Sequence, residues 1–241
     1  MNSFMKKYQY PTPLNYIFKT LLLTITILLF LSCKNNDKRV VRERIEWSHK
    51  WIQPTDKNDL PRVLIIGDSH AERYYRVVNN LLNGIAYCSK YTSSLSLGDP
   101  FLPREIELLL EQYHFDVITF NNGLHGKGYT EKEYERYIPI MLKLFRKQKD
   151  TKLIWINTTP VRKRENLSEF ADFNSRVITR NKIVKKYMSE NQIPLVDFYS
   201  IGGEHPEYYT NDGVHFNKQG VQAEAELLTA AIKKQIENLK R

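Results

Sequence analysis

From Arg62 to the end of the chain, short apolar runs alternate with longer amphipathic stretches, and this alternation limits the possible folds more than any other feature. The apolar runs predict five strands, at 63–66, 85–88, 117–120, 153–156 and 195–198. The stretches between them predict helices at roughly 70–82, 102–113, 131–148, 169–191 and 217–238. Alternating strands and helices indicate a parallel sheet covered on both faces, and continuously apolar strands fit that burial. We therefore expect a three-layer α/β fold whose ligand site lies at the carboxyl ends of the strands.

A short polar motif, Gly67-Asp68-Ser69-His70, directly follows the first predicted strand. A serine in the turn between a strand and a helix lies close to backbone N–H groups that favour negative charge. This environment suits an alkoxide nucleophile and a developing oxyanion. Taken alone, the motif also fits a helix N-cap with no catalytic role.

A second motif, between the last predicted strand and the last helix, contains Asp212 and His215 within the segment 211–220. A histidine is a competent general base near neutral pH, and a carboxylate can fix its tautomer and stabilise the imidazolium. The segment also fits an Asx-turn at Asp212 followed by an incidental surface histidine.

Together, Gly-Asp-Ser after the first strand and Asp-x-x-His before the last helix resemble blocks I and V of the SGNH (GDSL-like) hydrolase superfamily. The resemblance covers roughly residues 62–238. It implies a flavodoxin-like three-layer α/β/α fold with a five-stranded parallel sheet in the order 2-1-3-4-5. It also implies Ser69 as nucleophile, His215 as base and Asp212 as the orienting acid, with the backbone N–H of Ser69 as one oxyanion donor.

The middle blocks of the superfamily are less well matched, and they leave several candidates for the oxyanion hole. Gly98 is the only glycine after the second strand, so it is either the block II donor or a turn before the next helix. Aligning Gly123 with the glycine of block III places His125 where the superfamily usually carries asparagine. Asn121 and Asn122 are competing donors in the same segment.

The resemblance implies a serine esterase that hydrolyses a small ester through an acyl-enzyme on Ser69. Family analogy and predicted export favour a carbohydrate O-acetyl group as the substrate. A carbohydrate O-acyltransferase with the same triad is an alternative, as is a non-catalytic binding protein of the envelope that keeps the fold. We expect no cofactor, and no metal, because no cluster of His, Cys and Asp has the spacing of metal ligands.

Residues 1–32 have the pattern of a bacterial lipoprotein signal peptide. Lys6 and Lys7 form a basic start, and the apolar run at 21–31 is shorter than the about 20 residues that a membrane-spanning helix needs. The run ends at Leu31-Ser32-Cys33, which resembles a lipobox, so Cys33 is the predicted lipidation site. The expected location is the bacterial cell envelope, outer membrane or periplasm-facing, with the lipid as membrane tether. An uncleaved anchor or an ordinary signal peptide is the alternative.

We interpret residues 33–61 as a tether and N-terminal extension, and residues 62–241 as the hydrolase domain. Trp47 and Trp51, four residues apart, predict a short helix whose indoles pack on that domain. Cys88 lies in an apolar run and is expected to be a buried small residue. Beyond the signal segment the chain carries a formal charge of +6 that is scattered over predicted helices, and no motif indicates a nucleic-acid partner. The sequence gives no oligomeric state.

Overall fold

The structure, a computed structural model, describes residues 39–239. The predicted signal segment 1–32 and the predicted lipidation site Cys33 lie outside the described residues. Within 39–239, no helix combines the length and the apolar character needed to cross a membrane. The strands are Ser48–Trp51 (β1), Arg62–Gly67 (β2), Tyr87–Ser93 (β3), Val117–Phe120 (β4), Lys152–Ile156 (β5) and Leu195–Val196 (β6).

In the described part of the chain, six α-helices alternate with these strands, and a 3₁₀ helix at Pro206–Tyr208 precedes the last of them. The helix positions agree with the five helices expected from the sequence, and a short additional helix follows β6. The helices are Ser69–Leu81 (α1), Phe101–Gln112 (α2), Glu131–Phe145 (α3), Asn174–Glu190 (α4), Phe198–Glu204 (α5) and Lys218–Leu239 (α6).

All six strands form one sheet in the order β1-β3-β2-β4-β5-β6. β2 to β6 pair in parallel, and their order is the predicted 2-1-3-4-5. The three-layer α/β prediction is therefore confirmed, but the predicted count of five strands is wrong. The sixth strand, β1, pairs antiparallel with β3 at one edge of the sheet.

The sheet separates two hydrophobic cores because side chains alternate between its faces. Val63 and Ile65 of β2 face one layer, which is formed by the buried sides of α1 and α6. Leu64 and Ile66 face the opposite layer, which is formed by α2, α3 and α4. Burial on both faces explains why the central strands are continuously apolar.

The helix predicted around Trp47 and Trp51 is wrong, because residues 48–51 form the edge strand β1. A spacing of four residues places two side chains on one face of a helix and equally on one face of a strand. The predicted packing of both indoles also fails, since Trp51 is 56% exposed. Backbone pairing fixes the strand instead: Ser94 donates its N–H to the carbonyl of Trp47 at 3.0 Å.

Two predicted strands have different ends in the structure. β3 extends through the polar residues 89–93, because it pairs with β2 on one side and β1 on the other. Its polar side chains find partners; for example, the Thr92 hydroxyl donates to Glu72 at 2.6 Å. The last strand is shorter than predicted because Asp197 caps helix α5 by accepting the backbone N–H of Ser200 at 3.1 Å.

Candidate active site

Ser69 lies in the turn from β2 to α1, at the carboxyl edge of the parallel strands. β2 ends at Gly67 and α1 begins at Ser69, with Asp68 accepting a hydrogen bond from the backbone N–H of His70 at 2.9 Å. A Cβ at Gly67 would lie only 2.7 Å from the Cβ of Ala71, so this tight turn needs glycine. Because Ser69 is the first residue of the helix, its backbone N–H has no intrahelical acceptor and can bind an anionic oxygen.

Two hydrogen bonds join Ser69, His215 and Asp212 into a chain, although Ser69 and His215 are 146 positions apart in the sequence. The Oγ of Ser69 lies 2.8 Å from Nε2 of His215. The Nδ1 of His215 lies 2.6 Å from Oδ2 of Asp212. The side chains of His215 and Asp212 are 26% and 34% exposed, so both border open space. This is the geometry in which a carboxylate orients an imidazole toward a serine hydroxyl.

The loop that holds this pair is stabilised by the second oxygen of Asp212. Its Oδ1 accepts hydrogen bonds from the backbone N–H groups of Val214 and His215, both at 2.9 Å. The Asx-turn expected at Asp212 therefore coexists with the contact to the imidazole. Gly213 adopts a φ of 72°, and a Cβ there would lie 2.2 Å from a carbonyl oxygen of the neighbouring loop. Although burial raises the pKa of Asp212, the hydrogen bonds from His215 and Val214 hold it well below its usual range.

Ser69 and His215 line a cleft of about 500 Å³. The N-terminal segment 41–44 and the loop after β4, which contact each other, contribute most of its other lining residues. The lining residues are Val41, Arg42, Glu43, Arg44, Ser69, Leu124, His125, Gly126, Lys127, Gly128, Val161, Phe173, Val214 and His215.

Among the oxyanion candidates, the structure places His125 in the cleft together with Ser69 and His215. Its Nδ1 lies 2.9 Å from Oε2 of Glu43, and its side chain is 20% exposed. Burial lowers the pKa of His125, but the hydrogen bond to Glu43 and the negative charges of Asp68 and Glu43 outweigh burial and raise it.

The other two predicted donors, Gly98 and Asn121, are not positioned to bind an oxyanion. The backbone N–H of Gly98 donates to Oγ of Ser96 at 3.2 Å, and Gly98 does not line the cleft. The amide nitrogen of Asn121 donates to the carbonyls of Ile156 and Asn157 at 3.0 and 3.1 Å, so both of its N–H groups are used. Asn121 therefore ties β4 to β5 at the end of the sheet instead of facing a substrate.

Asn122, the third candidate in this segment, is also engaged by the protein. Its side chain donates to the carbonyl of Leu95 and accepts from the backbone N–H of Leu97, both at 2.8 Å. It is buried and holds the loop after β3 against the loop after β4.

A second histidine–carboxylate pair lies directly behind the first. Nδ1 of His70 lies 2.8 Å from Oε1 of Glu224, and Nε2 lies 3.0 Å from the carbonyl oxygen of Val214. The side chains of His70 and Glu224 are 4% and 0% exposed, so this pair lies beneath the cleft surface. Burial alone would lower the pKa of His70, but the Glu224 carboxylate and the Val214 carbonyl raise it to about 9.

Glu43 and Glu224 are two carboxylates that pair with histidines at the cleft and that the sequence motifs do not identify. Glu224 could have been noticed because it lies on the buried face of α6, four residues before Leu228 and eight before Ile232. A carboxylate on an apolar helix face needs a buried partner. Glu43 carries no comparable signal, because it lies in a polar segment outside the motifs.

A second cleft, of about 550 Å³, lies between α4 and the segment from β6 to α5. It is lined by Ile178, Lys182, Lys185 and Met188, among others, and it contains none of Ser69, His215 and Asp212. Within residues 39–239 there is no group of three or more His, Cys, Asp or Glu side chains that could hold a metal ion.

No protein-family model and no curated protein sequence matches the chain. Solved structures do match it. A GDSL-like lipase from Bacteroides thetaiotaomicron is 23% identical, with 74% of this chain and 88% of that chain covered and a TM-score of 0.54. A carbohydrate acetylesterase family member from Sinorhizobium meliloti is 16% identical, with 74% and 100% covered and a TM-score of 0.58. A carbohydrate esterase family 3 protein from Talaromyces cellulolyticus is 15% identical, with 74% and 99% covered and a TM-score of 0.60.

The chain therefore has the fold of the SGNH hydrolases, as its two motifs led us to expect. The first motif follows β2 and the second precedes α6, as the resemblance implies. The side chains of Ser69, His215 and Asp212 contact one another there.

Proposed function

We propose that the chain is an SGNH-type serine esterase that uses Ser69, His215 and Asp212 as a catalytic triad. The observation that carries this proposal is the continuous chain of hydrogen bonds from Oγ of Ser69 to Oδ2 of Asp212, at 2.8 and 2.6 Å, on the wall of an open cleft. A histidine held in this way can accept the serine proton, and the carboxylate stabilises the imidazolium that results.

The reaction proceeds in two halves, with an acyl-enzyme between them. Oγ of Ser69 attacks the ester carbonyl carbon while its proton passes to Nε2 of His215. The tetrahedral intermediate collapses, the bond to the leaving alkoxide breaks, and His215 returns the proton to that oxygen. His215 then takes a proton from a water molecule whose oxygen attacks the acyl carbon. The bond between that carbon and Oγ of Ser69 breaks, His215 returns the proton to Oγ, and the carboxylic acid leaves.

The carbohydrate O-acetyl group is the substrate that we favour. Two of the structures with the same fold are described as a carbohydrate acetylesterase family member and a carbohydrate esterase. The half-buried ring of Phe173 lines the cleft and offers an apolar face against which a sugar ring could pack. The cleft, with a volume of about 500 Å³, has room for an acetyl group together with the sugar that carries it.

The direct test compares the wild type with Ser69→Ala on 4-nitrophenyl acetate and on acetylated xylan, with release of acetate as the readout. We expect turnover by the wild type only. An organophosphonate should label Ser69, and mass spectrometry locates the adduct. A wild type that neither turns over the esters nor takes up the label would refute the proposed esterase activity and would favour the non-catalytic binding protein. Transfer of acetyl to an added sugar in preference to water would establish the transferase.

The envelope location is a separate proposal, which rests on the lipobox-like segment that ends at Cys33. Metabolic labelling with a fatty-acid analogue should tag the wild type, and Cys33→Ala should abolish the tag. Equal labelling of the two proteins would contradict lipidation at this cysteine.

A further inference from the structure

The N-terminal segment 39–47, here called the strap, crosses the loop that carries His125. Arg39 binds Glu133 through two hydrogen bonds of 2.9 and 3.0 Å and donates to the carbonyl of Gly128 at 2.7 Å. The backbone N–H of Val41 donates to the hydroxyl of Tyr129 at 2.7 Å. The strap is therefore attached along the loop at successive points and is part of the domain.

The far end of the strap is attached to the sheet. The backbone N–H of Trp47 donates to Oγ of Ser94 at 2.9 Å, and β1 begins at the next residue. Contacts at both ends hold the middle of the strap, residues 41–44, in place as one wall of the cleft.

Glu43 is the strap residue that reaches a functional side chain. Its Oε2 lies 2.9 Å from Nδ1 of His125, and its Oε1 accepts the backbone N–H of Gly126 at 2.8 Å. Although burial raises the pKa of Glu43, these two hydrogen bonds outweigh burial and lower it. The 2.9 Å contact, with a lowered pKa on the carboxyl and a raised pKa on the imidazole, is the arrangement that favours an ion pair.

The backbone of His125 is fixed independently, from the opposite side. The guanidinium of Arg180, whose side chain is fully buried, donates to the carbonyls of Gly123 and His125, both at 2.8 Å. Arg180 thus fixes the loop and Glu43 fixes the ring. Within residues 39–239 no hydrogen bond involves Nε2 of His125, so this nitrogen is available to a substrate.

We propose that Glu43 is a positioning residue that holds His125 as an imidazolium, with its Nε2–H presented to the acyl oxygen in the cleft. This inference rests on the proposed esterase function. A neutral His125 that kept its proton on Nδ1 for Glu43 would carry a lone pair on Nε2 and would repel an oxyanion. The carboxylate prevents this state by stabilising the doubly protonated ring.

The proposal makes the reaction depend on two histidines in opposite protonation states. His215 must be neutral to accept the serine proton, whereas His125 must be protonated to donate to the oxyanion. The titratable groups closest to the His125 ring are Glu43 from the strap, and Asp68 and His70 at the start of α1. Arg180 of α4 contacts the His125 carbonyl, and the other titratable side chains that line the cleft are Arg42, Arg44, Lys127 and His215. Because His125 must be protonated, kcat should fall at alkaline pH as His125 loses its proton. Loss of the Glu43 charge should lower the pKa of His125 and so move this fall in kcat to lower pH.

The first experiment is an NMR titration of the His125 ring in the full-length protein, with Glu43→Gln as the test and Glu46→Gln as the matched control. Glu46 lies on the same strap, pairs with Arg42 at 2.9 Å and does not line the cleft. Its Oε1 accepts the backbone N–H of Glu43 at 3.2 Å, and glutamine keeps an acceptor oxygen for this contact, so the control removes a charge of the strap and leaves the backbone of Glu43 in place. We expect the pKa of His125 to fall in Glu43→Gln and to stay at the wild-type value in Glu46→Gln. An unchanged His125 titration in Glu43→Gln would overturn the pairing, whether or not the protein is an esterase.

The second experiment measures kcat and KM against pH for wild type, Glu43→Gln, His125→Ala and the double variant. At pH 8 we expect Glu43→Gln to lose about tenfold in kcat with little change in KM, as for a weakened oxyanion donor. In the His125→Ala background the same change should have little further effect, because Glu43 acts through His125.

Equal and independent losses in the two backgrounds would show that Glu43 only supports the strap, and wild-type kcat at all pH values would exclude any role. A wild type with no turnover and no phosphonate label on Ser69 is a different outcome. It would refute the proposed function and the oxyanion role with it, while the NMR titration would still decide the pairing.

Discussion

Two histidine–carboxylate pairs lie side by side next to Ser69, and they differ chiefly in burial. The rings of His70 and His215 are nearly parallel, with centroids 5.9 Å apart and an angle of 25° between their planes. The pair His215–Asp212 is 26% and 34% exposed, whereas His70–Glu224 is 4% and 0% exposed. The same two chemical groups are thus placed once on the cleft wall and once beneath it.

The contacts of the second ring nitrogen determine what each histidine–carboxylate pair can do. In the exposed pair, Nε2 of His215 contacts only the hydroxyl of Ser69, so it can exchange a proton with a substrate. In the buried pair, Nε2 of His70 contacts the carbonyl of Val214, the residue before His215. The buried histidine therefore has no site left for chemistry, and it fixes the backbone that carries the reactive one.

The largest expected effect is a loss of kcat when Ser69 or His215 is replaced, which no other histidine substitution should match. Ser69→Ala and His215→Ala should each lower kcat by at least ~10³, and the double variant should be little worse, because the residues act as a unit. The measurement is steady-state hydrolysis of 4-nitrophenyl acetate. kcat should also fall at acid pH, since a protonated His215 cannot accept the serine proton.

A matched control for this prediction is His205→Ala. His205 also pairs with a glutamate, since its Nδ1 lies 2.8 Å from Glu207, but it lies outside the cleft. Its replacement should leave kcat unchanged. Full activity in His215→Ala would show that the wrong base has been assigned.

The buried pair should show its role in stability. Glu224→Ala leaves the His70 imidazolium without its partner inside the core, and breaking a buried pair in this way costs about 3–5 kcal/mol. Urea denaturation of this variant against the exposed Glu226→Ala, on the same helix, measures the difference. A loss no larger than that of Glu226→Ala would contradict a charged pair in the core.

An intermediate effect is expected at His125, which shares features of both pairs. His125→Ala should lower kcat by about 10²–10³ with little change in KM, as for the loss of one oxyanion donor. His125→Asn, which restores the usual superfamily residue, should retain a larger share. Asn121→Ala serves as the contrast: it should cost about 1–3 kcal/mol of stability by leaving two carbonyls without donors, yet keep kcat per folded molecule.

The smallest effect is a dependence of stability on pH that belongs to His70. Because its folded pKa is raised from about 6.5 to about 9, its contribution is fully present below pH 6.5 and is lost as the pH rises toward 9. We expect the free energy of unfolding to decrease over this window by on the order of 2 kcal/mol more in the wild type than in Glu224→Gln. Parallel pH curves for the two proteins would contradict the shift.

The sequence predicts the parallel sheet from local patterns, and the resemblance of two short motifs predicts that Ser69, His215 and Asp212 lie together. Apolar runs specify the strands. Ser69 follows the first parallel strand and Asp212 and His215 precede the last helix, and the order of the elements places both positions at the carboxyl edge of the sheet. The two added carboxylates could not be predicted in this way. Glu43 meets His125 across 82 positions and Glu224 meets His70 across 154, so only the folded chain brings them together.

The errors in the sequence interpretation have the same origin. Gly98 forms the turn that the sequence offered as its alternative, because its N–H donates to Ser96 two residues earlier, whereas tertiary contacts with the carbonyls of Ile156 and Asn157 occupy the N–H groups of Asn121. The edge strand β1 was ambiguous because a spacing of four residues fits both periodicities.

The burial of Cys88 makes the opening of the sheet measurable as a reaction rate. Cys88 lies in β3, its side chain is fully buried, and burial raises the pKa of its thiol far above the ordinary value. The thiolate is the reactive form, so a thiol reagent can modify Cys88 only when β3 is transiently exposed. Since the Cys88 side chain lies in the core between the sheet and helices α1 and α6, the labelling rate of Cys88, distinguished from Cys33 by peptide mass, reports how often this layer of the fold opens.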